Sequence, residues 1–226
     1  MLDEKKRMWI KRFIRLNLGL FLYGVGIVCT IHASVGLAPW DLFQQGLTLI
    51  SGITMGQASS VVSAVLVVVD FIAKEKIGIG TLLNMILIGV YVDVLMLNHL
   101  IPIFDYMPAQ LAMLAAGMLI IGFASFFYIG AGFGAGPRDG LTIALCKKTG
   151  KTVGQVRIGI ESLVAAAGFL LGGSMGFGTA VMAFGLGICM QFAFRVCRFD
   201  VKAVEHQYID DQLRMMYRDW NEKRAR

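Results

Sequence analysis

Two aspartates, Asp41 and Asp139, each follow a proline by two residues, in the strings GLAPWDLF (36–43) and GAGPRDGL (134–141). Both strings are embedded in long apolar runs. A carboxylate at membrane depth is costly unless it lines water or finds a partner, so such an Asp can hold a cation, a proton or a substrate amine. A plain helix start explains it equally. Proline at the first helical position forfeits an N–H that would be unpaired anyway, and a first-turn Asp suits the helix dipole. The two copies differ between Pro and Asp, where Trp40 stands in one and Arg138 in the other. Arg138 is either a topogenic charge in a loop or the partner of an aspartate through a charge-assisted bond, with Asp41 as the mate of its neighbour. Trp40 suits an interfacial anchor or an aromatic lid.

Further polar residues fall inside apolar stretches. Arg157 and Glu161, four apart, share a helical face and form an ion pair, structural or part of a charge relay or substrate site. Asp93 and its counterpart Gln191 either line a vestibule or bond a neighbouring helix. Gln57 and Gln155 lie near helix starts and are expected to cap or buttress the short helices, while Asp70 is expected to pair with Lys74. The cysteines, Cys29, Cys146, Cys189 and Cys197, form no CxxC pair, and His32, His99 and His206 are isolated. With no HExxH, GxSxG or P-loop, the sequence predicts no catalytic residue, metal site or cofactor. Any driving force comes from an ion gradient or a separate ATPase.

The elements that must position these groups are membrane helices. The chain has 226 residues, 57% hydrophobic and only 16% charged, which is not the composition of a soluble domain. Six apolar stretches are long enough to cross a bilayer, at 13–33, 55–73, 78–98, 109–131, 153–173 and 177–197. Two others, 39–49 and 137–146, are too short to cross and are expected to be re-entrant, interfacial or half-helices. The net charge of +6 comes mainly from the termini and short loops, a pattern of membrane topology and not of a nucleic-acid groove. Residues 33–54, 98–108 and 172–176 carry no Lys or Arg, whereas Lys74, Lys76, Arg138, Lys147, Lys148 and Lys151 fall in the alternate loops. Six spans with both termini cytoplasmic therefore satisfy the positive-inside rule; eight spans would put Lys74, Lys76 and Arg138 outside. The basic N-terminus precedes a full-length apolar run without a convincing cleavage site, so an uncleaved first helix is expected.

The two halves repeat. At a constant offset of 98 residues Gly36 meets Gly134, Pro39 meets Pro137, Asp41 meets Asp139, Gly52 meets Gly150, Thr54 meets Thr152 and Gln57 meets Gln155. GIGT at 78–81 likewise meets GFGT at 176–179. Each copy holds three spans, so the second lies upside down relative to the first. The expected fold is thus an all-α membrane protein of six transmembrane helices plus two short re-entrant or half-helices, in two inverted-topology repeats. Its parts are a basic cytoplasmic N-terminus (1–12), repeat 1 (13–98), an external linker (99–108), repeat 2 (109–197) and a cytoplasmic tail (198–226). In the tail Val201, Val204, Tyr208, Ile209, Leu213, Met216 and Trp220 fall on a helical stripe that lies on the leaflet or docks on the protein.

GAGPRDGL followed by KTVGQVRIGIE (151–161) resembles the YczE/YitT-like bacterial integral membrane proteins over about residues 10–198. The resemblance implies a bacterial cytoplasmic membrane and a small multi-span protein, in a family some of whose members are grouped with presumed exporters. It carries over no functional residue. From the repeat itself, the leading expectation is a secondary transporter moving a small organic molecule or ion by alternating access at the repeat interface. A channel or lipid-translocating protein, and a membrane scaffold or accessory subunit, are the alternatives. The bilayer is the one certain partner; GxxxG-like spacing is compatible with a homodimer.

Overall fold

A computed structural model describes residues 2–204 and 206–208. Among them all regular structure is helical: α1 (Leu2–His32), α2 (Pro39–Ser51), α3 (Met55–Ile72), α4 (Ile79–Leu97), α5 (Met107–Gly130), α6 (Pro137–Thr149), α7 (Val153–Leu170) and α8 (Phe177–Val196). Six of these, α1, α3, α4, α5, α7 and α8, are long and apolar enough to cross a membrane. At 13 residues each, α2 and α6 are not.

Helix boundaries recur at the 98-residue offset, and the local chemistry at each boundary recurs with them. Pro39 and Pro137 open α2 and α6; Gly52 and Gly150 close them in the left-handed conformation at φ 74° and 68°. There the glycine N–H donates to the carbonyl of Thr48 or Cys146. Immediately afterwards Thr54 with Gln57, and Thr152 with Gln155, form capping boxes at the starts of α3 and α7. These glutamines therefore cap the helices that follow the short ones, not the short helices themselves.

The centre of the molecule is the pair α1 and α5, which pack along most of their length. Gly26 and Gly117 face each other there, and a Cβ on either would crowd the other's carbonyl at 3.0 or 2.9 Å. Small residues let the two backbones approach, and the fully buried Leu16, Leu20 and Val28 fill the contact with Ile121 and Tyr128. On the flanks α4 packs on α1 and α8 on α5.

The short helices pack crosswise: α2 lies on α7 and α6 on α3, so each half of the chain braces the other. The crossing is anchored by reciprocal backbone bonds. Gly178 N–H donates to the Val35 carbonyl at 2.7 Å, and Gly80 N–H donates to the Phe133 carbonyl at 2.8 Å. Beside those carbonyls Gly36 and Gly134 take φ of 118° and 110°, open in practice only to glycine.

The start of the tail docks on the protein. Phe199 packs edge-on against Phe126 and Phe194, the Arg15 guanidinium lies over Phe126 at 4.5 Å, and Gln207 N–H donates to the Gly132 carbonyl at 2.7 Å. Helix here is limited to a single 3-10 turn at Val201–Ala203, and Tyr208 packs under Lys76 instead of extending a helical stripe. The backbone of this stretch bonds itself within that turn, from Ala203 N–H to the Asp200 carbonyl, and beyond it bonds the body of the protein through Gln207. The rest of the expected stripe, from Ile209 to Trp220, lies outside the described residues.

Candidate functional site

A cavity of about 670 Å³ opens where the first turns of α2 and α6 meet, walled by α1, α3, α4, α5, α7 and α8. Proline starts both short helices, so residues 40–41 and 138–139 are delivered to the same place from opposite halves of the chain. The residues at which the copies differ touch each other there. The Arg138 guanidinium lies over the Trp40 ring at 5.0 Å, and its Nη2 stands 4.0 Å from Asp41 Oδ1. Arg138 and the half-buried Trp40 thus face each other in the cavity lining.

The pair is loose. Asp41 is only 3% exposed, yet its Oδ1 accepts no hydrogen bond, and 4.0 Å is the far limit of an ion pair. Burial pushes the Asp41 carboxyl above the ordinary range, and the Arg138 charge beside it pulls the other way. Asp139 is exposed to the cavity, where the charges of Arg157 and Arg138 reach it without a close ion pair among the described residues. On the α7 wall Arg157 Nε donates to Glu161 Oε1 at 2.9 Å. The equivalent positions on α3 are Ser59 and Ser63, which line the facing wall, so the cavity is ionic on one side and neutral-polar on the other.

Of the nine residues singled out from the sequence, Trp40, Asp41, Arg138, Asp139, Arg157 and Glu161 line the cavity. Gln57, Gln155 and Asp93 do not. Both glutamine side chains are consumed by capping. Asp93 bonds a neighbouring helix: its Oδ2 accepts from the Thr54 hydroxyl at 2.5 Å and its Oδ1 from the Gly56 N–H at 2.8 Å.

Asp70 does not pair with Lys74 either. Its carboxylate is buried against Gly140, where any Cβ would collide with it, which explains the glycine after Arg138 and Asp139. Instead Lys147 Nζ bonds Glu75, at 2.7 and 2.8 Å. Tyr23, Asn84, Ser125 and Tyr128 also line the cavity and were not singled out. Their signal was polarity within apolar spans, but a lone Ser or Tyr there is as often bonded within its own helix, as Ser125 is to the Ile121 carbonyl.

The cavity is bordered by two helix seams in unlike states. Between α3 and α4, Gly56 and Gly89 are in mutual contact, a Cβ on either striking the other's carbonyl, and Asp93 bonds across the junction. Between α7 and α8 the equivalent glycines, Gly154 and Gly187, have nothing near enough to meet a Cβ, and the two helices do not pack along their lengths. No bond joins Gln191, the counterpart of Asp93, to the first turn of α7. The facing sides of α7 and α8 line the cavity instead.

A family model, the family of unknown function DUF6198, matches residues 10–195. The chain belongs to the DUF6198 family. Consistently, it is 35% identical over 177 residues to the uncharacterised membrane protein YczE of Bacillus subtilis (strain 168), covering 77% of this chain and 81% of that one. An uncharacterised protein of Haemophilus influenzae is 29% identical over 192 residues, covering 84% and 87%. YyaS, an uncharacterised protein of B. subtilis, is 24% identical over 178 residues, covering 74% and 85%. No solved structure matches. The YczE-like resemblance carried by GAGPRDGL therefore holds for the DUF6198 chain as a whole, and it is a membrane protein.

Proposed function

We propose that this DUF6198 protein is a secondary-transporter-like carrier, not an enzyme. In this reading it moves a small organic molecule across the bacterial cytoplasmic membrane by alternating access between two inverted repeats. The observation that carries the proposal is the unequal pair of seams around one charged cavity. Equivalent helix pairs, α3 with α4 and α7 with α8, hold the same glycines at the same places, one pair shut and the other parted. A carrier built of inverted repeats alternates between two such arrangements related by exchange of the repeats. One shut seam favours a carrier over a channel, whose conducting form is open at both ends.

With the Lys-rich α6–α7 loop on the cytoplasmic side, Gly154 and Gly187 mark the cytoplasmic half and Gly56 and Gly89 the outer half. The present arrangement is then inward-facing, with both termini cytoplasmic. In it α2 and α6 act as re-entrant helices whose first turns present Asp41, Arg138 and Asp139 to the ligand. Their N-terminal dipoles and the Arg138 charge soften the cost of two carboxylates at depth. The exchange step closes α7 on α8 through Gly154 and Gly187, and breaks the bonds of Asp93 to Thr54 and Gly56.

Proteoliposomes screened with a panel of small organic ions test the function. Saturable uptake of at least one member is expected, and Arg138→Gln and Asp139→Asn should each reduce it by about tenfold or more, the loss of one charge-assisted contact. Uptake equal to wild type in both variants would refute the site.

A further inference from the structure

On the carrier reading above, we propose that the ligand is a cationic amphiphile, its positive head held at Asp139 and Asp41 and its apolar chain leaving the cavity between α7 and α8 into the bilayer. The head group follows from the charges. Three carboxylates, Asp41, Asp139 and Glu161, line the cavity against two guanidiniums, Arg138 and Arg157. Arg157 is committed to Glu161 at 2.9 Å, and Arg138 lies over Trp40 and near Asp41. Asp139 has no ion pair of its own among the described residues, the charges of Arg157 and Arg138 reaching it only from beyond contact, while the buried Asp41, also in the lining, has an Oδ1 with no hydrogen bond. A lining with one carboxylate more than it has guanidiniums favours a positive group.

The chain follows from the opening. Gly154, Arg157, Ile158 and Glu161 on α7 face the cavity, as do Ala183, Phe184 and Gly187 on α8, across a gap that the matching pair α3 and α4 closes. Ile158 and Phe184 are cavity-lining yet 65% and 76% exposed, so they form an apolar rim where the cavity meets the surface that spanning helices present to lipid. A wholly polar ligand would have to leave this rim facing it unmatched. A head with an alkyl chain places its charge among carboxylates, which offset its lost hydration, and keeps its methylenes in hydrocarbon.

The test uses the full chain in phosphatidylcholine nanodiscs. Trp40 is the reporter, after Trp9→Phe and Trp220→Phe, and the probes are dodecyltrimethylammonium (head and chain) and tetramethylammonium (head alone). Both probes should change Trp40 fluorescence saturably, and Asp139→Asn should weaken both by about tenfold. Filling the gap by Gly187→Phe, or from the other helix by Gly154→Phe, should weaken dodecyltrimethylammonium by about tenfold or more and leave tetramethylammonium within about twofold. Retained tetramethylammonium binding also certifies that the filled variants are folded. If both filled variants bind the long-chain probe as wild type does, or lose both probes equally, the lateral exit is wrong while the carrier reading stands on its uptake assay. If neither probe binds saturably, the cationic head is wrong. Binding of both probes untouched by Asp139→Asn would remove Asp139 from the head-group site and overturn the proposal, while the carrier reading stands or falls on its uptake assay.

Discussion

Gly36→Ala and Gly134→Ala should each destabilise the protein by about 3 kcal/mol or more, read as a lower thermal midpoint in nanodiscs, and by similar amounts. Two independent costs add at each position. The backbone has φ of 118° or 110°, a region in which a Cβ is strained. The added methyl would also sit 2.7 Å from Gly176 N in the first case and 2.8 Å from Gly78 Cα in the second. Neither neighbour is a flexible side-chain end; both are backbone at the start of α8 or α4, held by the bonds from Gly178 to Val35 and from Gly80 to Phe133. Gly52→Ala is the internal comparison. It too has a positive φ, 74°, but nothing within reach of a Cβ, so only the left-handed penalty of about 1–2 kcal/mol applies. Equal losses at 36 and 134 would show that both crossings carry the same mechanical load.

Asp41→Asn should separate stability from function in the opposite sense. The carboxylate is 3% exposed with one oxygen unbonded, and its nearest cation is 4.0 Å away, so the folded protein gains little from the charge and loses its hydration. Replacing it by a neutral amide of the same shape should leave stability unchanged or raise it by about 1 kcal/mol, while uptake falls by about tenfold or more. A thermal midpoint that drops with Asp41→Asn would mean that the Arg138 pair holds the fold together instead of serving the ligand.

How much of this was legible in the chain depends on the scale of the interaction. Span lengths, the short proline-led helices and the 98-residue correspondence follow from local sequence, and the helices obey them to within two residues except at the start of α1, which lies eleven residues earlier, and the ends of α6 and α7, each three residues away. Arg157 with Glu161 was legible because four residues is one helical turn. The approach of Arg138 to Asp41 was legible only as one option, since it depends on α2 and α6 meeting across the middle of the molecule. Asp93 takes the second of its two expected roles, a bond to a neighbouring helix, and Gln57 and Gln155 cap as expected but on α3 and α7 instead of the short helices, because sequence does not distinguish a polar group facing a cavity from one satisfying unpaired N–H groups at a helix start. Asp70 was misassigned because a basic residue stood four positions away, whereas its actual neighbour, Gly140, is 70 residues distant and offers no side chain to suggest a contact. The unequal seams were not legible from their glycines, which are the same on both sides; Asp93 against Gln191 differs in the sequence, but its consequence depends on which helix each side chain reaches.

The central claim is that the two seams exchange states, and pulsed electron–electron distance measurement in nanodiscs tests it without any ligand. One spin-label pair replaces the exposed Ile158 and Phe184 on α7 and α8; a second replaces the exposed Val61 and Val90 on α3 and α4. In the wild type the α7–α8 pair should show mainly a long distance and the α3–α4 pair a short one. Asp93→Ala, which removes the bonds to Thr54 and Gly56, should raise the short population across α7–α8 and the long population across α3–α4 together. Single, unchanged distances at both seams in Asp93→Ala, or a change at one seam without the other, would contradict alternating access.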